Sequence, residues 1–177
     1  AVKKLLDTGL ETAIINIGDS SIITIGTKPN GDEWGVGIAQ PKRNVIFADG
    51  SVDTLYFKDS IHISTSGDNQ NYYLAEDGEY YHHLIDPITL FPAKTPLHSV
   101  TVATSLSAGA AEALSKAMFI LSYEEALNLL TELKSTFPND TIEAKWVYEL
   151  NQAPVESIES QGFSVVHSDG IDARLLR

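Results

Sequence analysis

The chain has 177 residues, 43% hydrophobic and 20% charged, which is enough for one well-packed domain and too short for two comfortable ones. Its 24 acidic and 12 basic residues leave a formal net charge of -12, and the Lys and Arg are scattered rather than striped, which argues against a nucleic-acid partner. With no cysteine, a disulfide framework, a thiolate metal site and a Cys nucleophile are all excluded.

Val2, Leu5, Leu6 and Leu10 recur at helical spacing and Gly9 ends the pattern, predicting a short helix over residues 1–8. Residues 13–17 and 22–25 are β-branched runs around the polar turn Gly18-Asp19-Ser20-Ser21; they predict two strands, and their continuity predicts burial on both faces. Further strands are predicted at 34–38, 45–47, 51–57 and 60–63, with Ser64-Thr65-Ser66-Gly67 as a loop. Residues 71–75 and 80–83 form a hairpin across Glu76-Asp77-Gly78-Glu79, where Asp-Gly suits a type I′ turn. Alternation there sets Tyr81 and His83 on one face, Tyr80 and His82 on the other.

Residues 107–122 carry an apolar stripe of Ala110, Ala113, Leu114, Ala117, Met118 and Leu121 and predict the clearest helix, followed by a second over 123–137. A strand over 143–150, a short helix over 154–160 and a strand over 162–166 complete the chain. Strands gathered early and helices gathered late favour α+β over an alternating wind, within a single domain spanning 1–177.

No apolar run approaches the ~18 residues a spanning helix needs. No signal peptide is visible; the chain starts at Ala1 with its single Met at 118, which reads as a processed or truncated chain. On so acidic a surface, an anionic ligand needs local donors or a bound cation.

Several places could supply them. Gly18 permits φ > 0 and close approach of backbone amides, and reads more simply as a plain hairpin turn. Ser64, Thr65 and Ser66 offer three hydroxyls ahead of Gly67, either to a ligand or to their own backbone. His83 is a donor or general acid/base candidate, weighed against a hydrogen-bonded core histidine. Glu112 and Lys116 share a helix face at i,i+4, most simply as a solvent-facing ion pair. No Gly-x-Ser-x-Gly, Gly-x-Gly-x-x-Gly or P-loop is present.

The ordered set Asn16-Ile17-Gly18, Trp34 through Pro41, Ser64-Thr65-Ser66-Gly67, His83-Leu84-Ile85-Asp86-Pro87 with Thr89, and Ser99-Val100-Thr101-Val102 resembles the ApbE family, the FAD:protein FMN transferases. The resemblance runs from the start of the chain to about residue 130 and covers the later part of a family protein. It implies a T-fold-like α+β fold, a mostly antiparallel sheet with helices packed on one side. It also implies an enzyme that cleaves the FAD diphosphate with Mg²⁺ and moves FMN to a threonine hydroxyl of an acceptor protein.

By that resemblance Gly18, Asp19, Ser64, Thr65, Ser66, Gly67 and His83 contact flavin, His83 is catalytic, and Glu112 is a metal ligand whose partner position holds Lys116. Asp19, Leu90, Glu112 and Lys116 depart from the family pattern at glycine or ligand positions. The resemblance further implies a bacterial, exported, lipid-anchored protein working with a second chain or the earlier half. A flavin- or nucleotide-binding relative without catalysis, or a subunit that kept only the fold, is the alternative.

Overall fold

A computed structural model describes residues 2–18, 21–41, 50–69, 71–76 and 78–171. The predicted strand at 45–47, together with Asp19 and Asp77, lies outside the described residues. The strands are β1 (Ala13–Asn16), β2 (Ser21–Ile25), β3 (Trp34–Ala39), β4 (Ser51–Phe57), β5 (Ile61–Gly67), β6 (Tyr72–Leu74), β7 (Tyr80–His82), β8 (Leu97–Thr104), β9 (Ile142–Glu149), β10 (Ile158–Ser160) and β11 (Phe163–His167). The helices are α1 (Val2–Leu6), α2 (Ala108–Ile120) and α3 (Tyr123–Thr136).

Seven strands form one sheet in the order β1-β2-β5-β8-β9-β11-β10, and every neighbouring pair is antiparallel. Helices α2 and α3 cover one face, where Val100, Val102, Ala144 and Trp146 meet Met118, Phe119, Ala126 and Leu130 in the main core. Hairpin β3–β4 covers the other face, packing Val36 against Ile61, Ile63 and Ala103, and Ile38, Val52 and Leu55 against Val147. The expected α+β architecture with a mostly antiparallel sheet and helices on one side is therefore present, with a hairpin on the second face. Among the described residues no helix is long and apolar enough to cross a membrane.

Local chemistry explains the helix ends. Ser107 caps α2 by accepting from the Ala110 amide at 3.0 Å, and Ser122 with Glu125 forms a capping box on α3. The buried residues of α2 are Ala111, Ser115, Met118 and Phe119; of the predicted stripe Met118 is buried and Leu114 and Leu121 pack against the core, whereas Ala113 is exposed. A helix apolar on most sides has no single stripe to read, and the small Ala111 and Ser115 let it lie close on the sheet.

Three expectations are corrected. Strand β1 is the edge of the sheet among the described residues, with alternating burial and Ile14 42% exposed, so only one of its faces meets the core. Residues 154–160 form no helix; Ile158–Ser160 pairs with β11 through a two-residue turn in which Gln161 (φ 53°) and Gly162 (φ 83°) are both left-handed, as a type I′ hairpin needs. Ser64-Thr65-Ser66-Gly67 is not a loop but the second half of β5, with β2 on one side and β8 on the other.

Candidate functional site

That last correction decides what the hydroxyls can do. On a strand, successive side chains point to opposite faces, so Ser64, Thr65 and Ser66 cannot converge on one ligand. Ser64 and Ser66 turn toward α2, and both are buried. Ser66 shares a hydrogen bond with Ser115 at 2.8 Å, and Ser115 reaches Ser64 at 3.4 Å. The Ser64 hydroxyl then donates to Glu112, whose other carboxylate oxygen accepts from Lys116.

Ser21, paired with Ser64 across the β2–β5 ladder, is a third donor to Glu112. The result is a ladder of hydroxyls from Ser66 to an ion pair at the end of the sheet. Lys116, then Ser64, hold the Glu112 carboxyl below its ordinary value, against a smaller upward push from burial. The pair is half-buried, with side-chain exposures of 43% for Lys116 and 38% for Glu112, so it is not the purely solvent-facing bridge that i,i+4 spacing alone allows.

Gly18 lies just ahead of Ser21, in the turn closed by the Ile17 amide donating to the Ser21 carbonyl at 2.9 Å. Its φ of +81° explains the glycine, and nothing lies within 4 Å of where a Cβ would be. Asp19 lies outside the described residues.

Thr65 and Gly67 face the hairpin side. Thr65 shares a 2.9 Å hydrogen bond with Thr101, and a Cβ on Gly67 would sit 3.0 Å from the His98 carbonyl, which accounts for glycine there. Both line a slot of about 90 Å³ shared with Val36, Ile38 and the buried Ser99. In register with Thr65 and Thr101 lie Lys145 and His167. Lys145 and Asp53 of β4 are fully buried and 2.7 Å apart, and His167 Nε2 lies 3.0 Å from the same carboxylate oxygen. Burial draws Lys145 down to about 8, with Asp53 opposing. Burial pushes Asp53 up, but its hydrogen bonds to His167 and Lys145 and the Lys145 charge outweigh this and hold it low. This cluster ties the hairpin to the sheet.

The two histidines of β7 and its exit separate as alternation predicts. His82 is packed: Nδ1 accepts from the Leu84 amide at 3.2 Å, Nε2 then donates to the Ala93 carbonyl at 2.9 Å, and the ring stands edge-on to Phe119. His83 is exposed, with its ring 3.2 Å from the Asn71 carbonyl. His82, Tyr80, Tyr81, Asp68 and Asp86 line a cleft of about 740 Å³ beside this hairpin. Asp86 uses its oxygens to accept from the Ile88 amide at 2.8 Å and the Thr89 hydroxyl at 3.1 Å, so it shapes its own turn.

Leu90, at the position where the family pattern has glycine, has φ 61° and its side chain is 74% exposed. The structure thus brings Ser64, Ser66 and Glu112 together and places Thr65, Gly67 and His83 elsewhere. Sequence reading missed Ser115, although it lies one turn from Glu112 on α2. It also missed Ser21, whose only signal was its place at the end of the glycine turn.

Magnesium, implied by the resemblance at Glu112 and position 116, is not fitted by these residues. Both carboxylate oxygens are engaged, position 116 carries an ammonium, and the described residues contain no group of three or more His, Asp or Glu able to hold a metal.

Comparison with known proteins converges on one family. Residues 1–138 match the model of the ApbE family. The FAD:protein FMN transferase of Treponema pallidum is 32% identical over 158 residues, covering 81% of this chain and 41% of that protein. The ApbE protein of Thermotoga maritima superposes with a TM-score of 0.65 at 26% identity, covering 89% of this chain and 43% of its own. The apo flavinyl transferase ApbE of Pseudomonas stutzeri gives 0.62 at 26% identity, covering 95% and 44%. The chain spans less than half the length of each of these relatives.

Proposed function

The chain belongs to the ApbE family, and on that premise we propose that it carries the flavin-diphosphate side of an FAD:protein FMN transferase. The observation that supports this reading most is the meeting of Ser64, Ser66, Ser115 and Ser21 with the Glu112–Lys116 pair next to the Gly18 turn. The buried hydroxyls are engaged with one another and with Glu112, so the donor left to face an oxyanion is the half-exposed Lys116 ammonium, which they hold in place through Glu112.

In the proposed reaction the acceptor threonine oxygen bonds to the FMN phosphorus as the bond from that phosphorus to the AMP oxygen breaks. The threonine proton passes to a base, AMP leaves, and FMN stays on the acceptor as a phosphoester. By the family resemblance we assign the proton step to His83, which is exposed with its ring against the Asn71 carbonyl and lies apart from the hydroxyl cluster.

The test is a titration of the purified chain with FAD, followed by incubation with FAD and an acceptor protein carrying a reactive threonine, read by mass. FAD binding and a mass gain of one FMN on the acceptor are the expected results. Absence of FAD binding up to about 1 mM, the affinity of a contact worth only about 4 kcal/mol, overturns the reading.

A further inference from the structure

Building on the flavin reading above, we propose that Lys116 supplies from within the chain the positive charge that a divalent cation would otherwise bring, so that an anionic diphosphate binds at this site without metal. The geometry at Glu112 carries the proposal. Its two carboxylate oxygens accept from Lys116 and Ser64, and Ser21 is a further donor. A carboxylate whose oxygens already face an ammonium and hydroxyl protons has little to offer a hard cation, and a cation at that point would meet the ammonium's repulsion.

The ammonium is also well placed to meet an anion. Lys116 stays 43% exposed at its side chain, and among the described residues its recorded partner is Glu112 alone, which occupies one of three N–H donors. The buried hydroxyls beneath Glu112 hold the carboxylate toward the sheet and keep the pair from rotating away. A fixed local cation matters more here than in most chains, because the molecule carries a net charge of -12 that opposes any diphosphate at longer range.

The experiment has two independent readouts on the unmodified chain and on Lys116→Met, Lys116→Thr and Glu112→Gln. Mn²⁺ titration followed by EPR, without flavin, reports whether a metal site exists. FAD titration with and without Mg²⁺ reports whether the diphosphate needs one. The proposal expects no Mn²⁺ binding in the unmodified chain, its appearance in Lys116→Thr, and FAD affinity that changes less than about two-fold with Mg²⁺ and falls about ten-fold in Lys116→Met. Mn²⁺ binding by the unmodified chain that disappears in Glu112→Gln overturns it. So does a strengthening of FAD binding by Mg²⁺ of about ten-fold or more. If FAD binds in neither condition the flavin reading fails, and the Mn²⁺ titration alone still decides between ammonium and metal.

Discussion

The hydroxyl of Ser64 donates to the carboxylate of Glu112 across 48 positions of sequence, joining the centre of the sheet to the first turns of α2. Removing it in Ser64→Ala should cost about 1 kcal/mol at neutral pH, the worth of an ordinary buried hydrogen bond. The folded-state value of Glu112 is depressed, so its contribution is present above the ordinary carboxylate value and is lost as pH falls through the folded one. Urea denaturation should therefore show a larger gap between Ser64→Ala and the unmodified chain at pH 7 than near pH 3. An equal gap at both would mean that the ionised carboxylate is not what Ser64 serves.

His82 and His83 should separate in their effects. His82→Ala removes two hydrogen bonds and a ring contact with Phe119 and should destabilise by about 1–3 kcal/mol. His83→Ala, at an exposed position, should stay within about 0.5 kcal/mol in stability. It should nevertheless slow FMN transfer about 10²-fold or more if it handles the proton. Chemical denaturation beside a transfer assay measures both, and a fully active His83→Ala removes the assignment.

Leu90 holds φ 61°, a conformation costing an L-residue about 1–2 kcal/mol, and its mostly exposed side chain returns little by packing. Leu90→Gly relieves that strain at an entropic cost of about 0.5–1 kcal/mol, so a net gain of up to about 1.5 kcal/mol is expected. Thermal unfolding of the two proteins is the measurement, and a lowered midpoint would show that the leucine side chain has a partner that outweighs the strain.

Lys145 and Asp53 are both fully buried, so Lys145→Met leaves an uncompensated carboxylate against His167 and should destabilise by about 3–5 kcal/mol. Lys145→Met combined with Asp53→Leu removes both charges and should recover much of that loss. A double-mutant cycle by urea unfolding reads the coupling; strictly additive losses would contradict a pairwise clamp between hairpin β3–β4 and the sheet.

His98 Nδ1 lies 3.1 Å from Asp68 and Nε2 3.1 Å from Glu149. Burial pushes the imidazole down, but the two carboxylates outweigh it and raise it above its ordinary 6.5. The folded state then binds more protons than the unfolded one, so this stabilisation is complete below 6.5 and disappears as pH rises through the higher folded value. Unfolding midpoints across pH 6 to about 9 should decline in the unmodified chain and flatten in His98→Gln. A flat profile in the unmodified chain would sink the prediction.

Much of the fold was legible in the sequence where the cause is local. Helix α3 is set by a capping box and apolar spacing inside one short segment, and hairpin β6–β7 by alternation around a Gly78 at φ 86°. That His82 and His83 point to opposite faces followed from a period of two, while the contact of His82 with Phe119 and the exposure of His83 were set by the tertiary packing. The ordered motifs carry the family resemblance in the sequence, because a motif is itself a local object.

What depends on distant neighbours was not legible. Ser64 through Gly67 has the composition of a turn, yet forms a strand because Ser21 to Thr24 and Ser99 to Thr104 arrive on either side of β5. That pairing splits the hydroxyls between two faces, sends Ser64 and Ser66 to Glu112 and Ser115, and leaves Thr65 with Thr101. The Asp53, Lys145 and His167 cluster likewise gathers residues 92 and 114 positions from the aspartate. By itself the sequence determined α2, α3, the hairpin around Gly78 and the family, since propensity, capping and motif order act over a few residues. Only the tertiary structure decided which polar groups meet, because burial and long-range strand pairing are set by chain segments whose separation leaves no periodic trace.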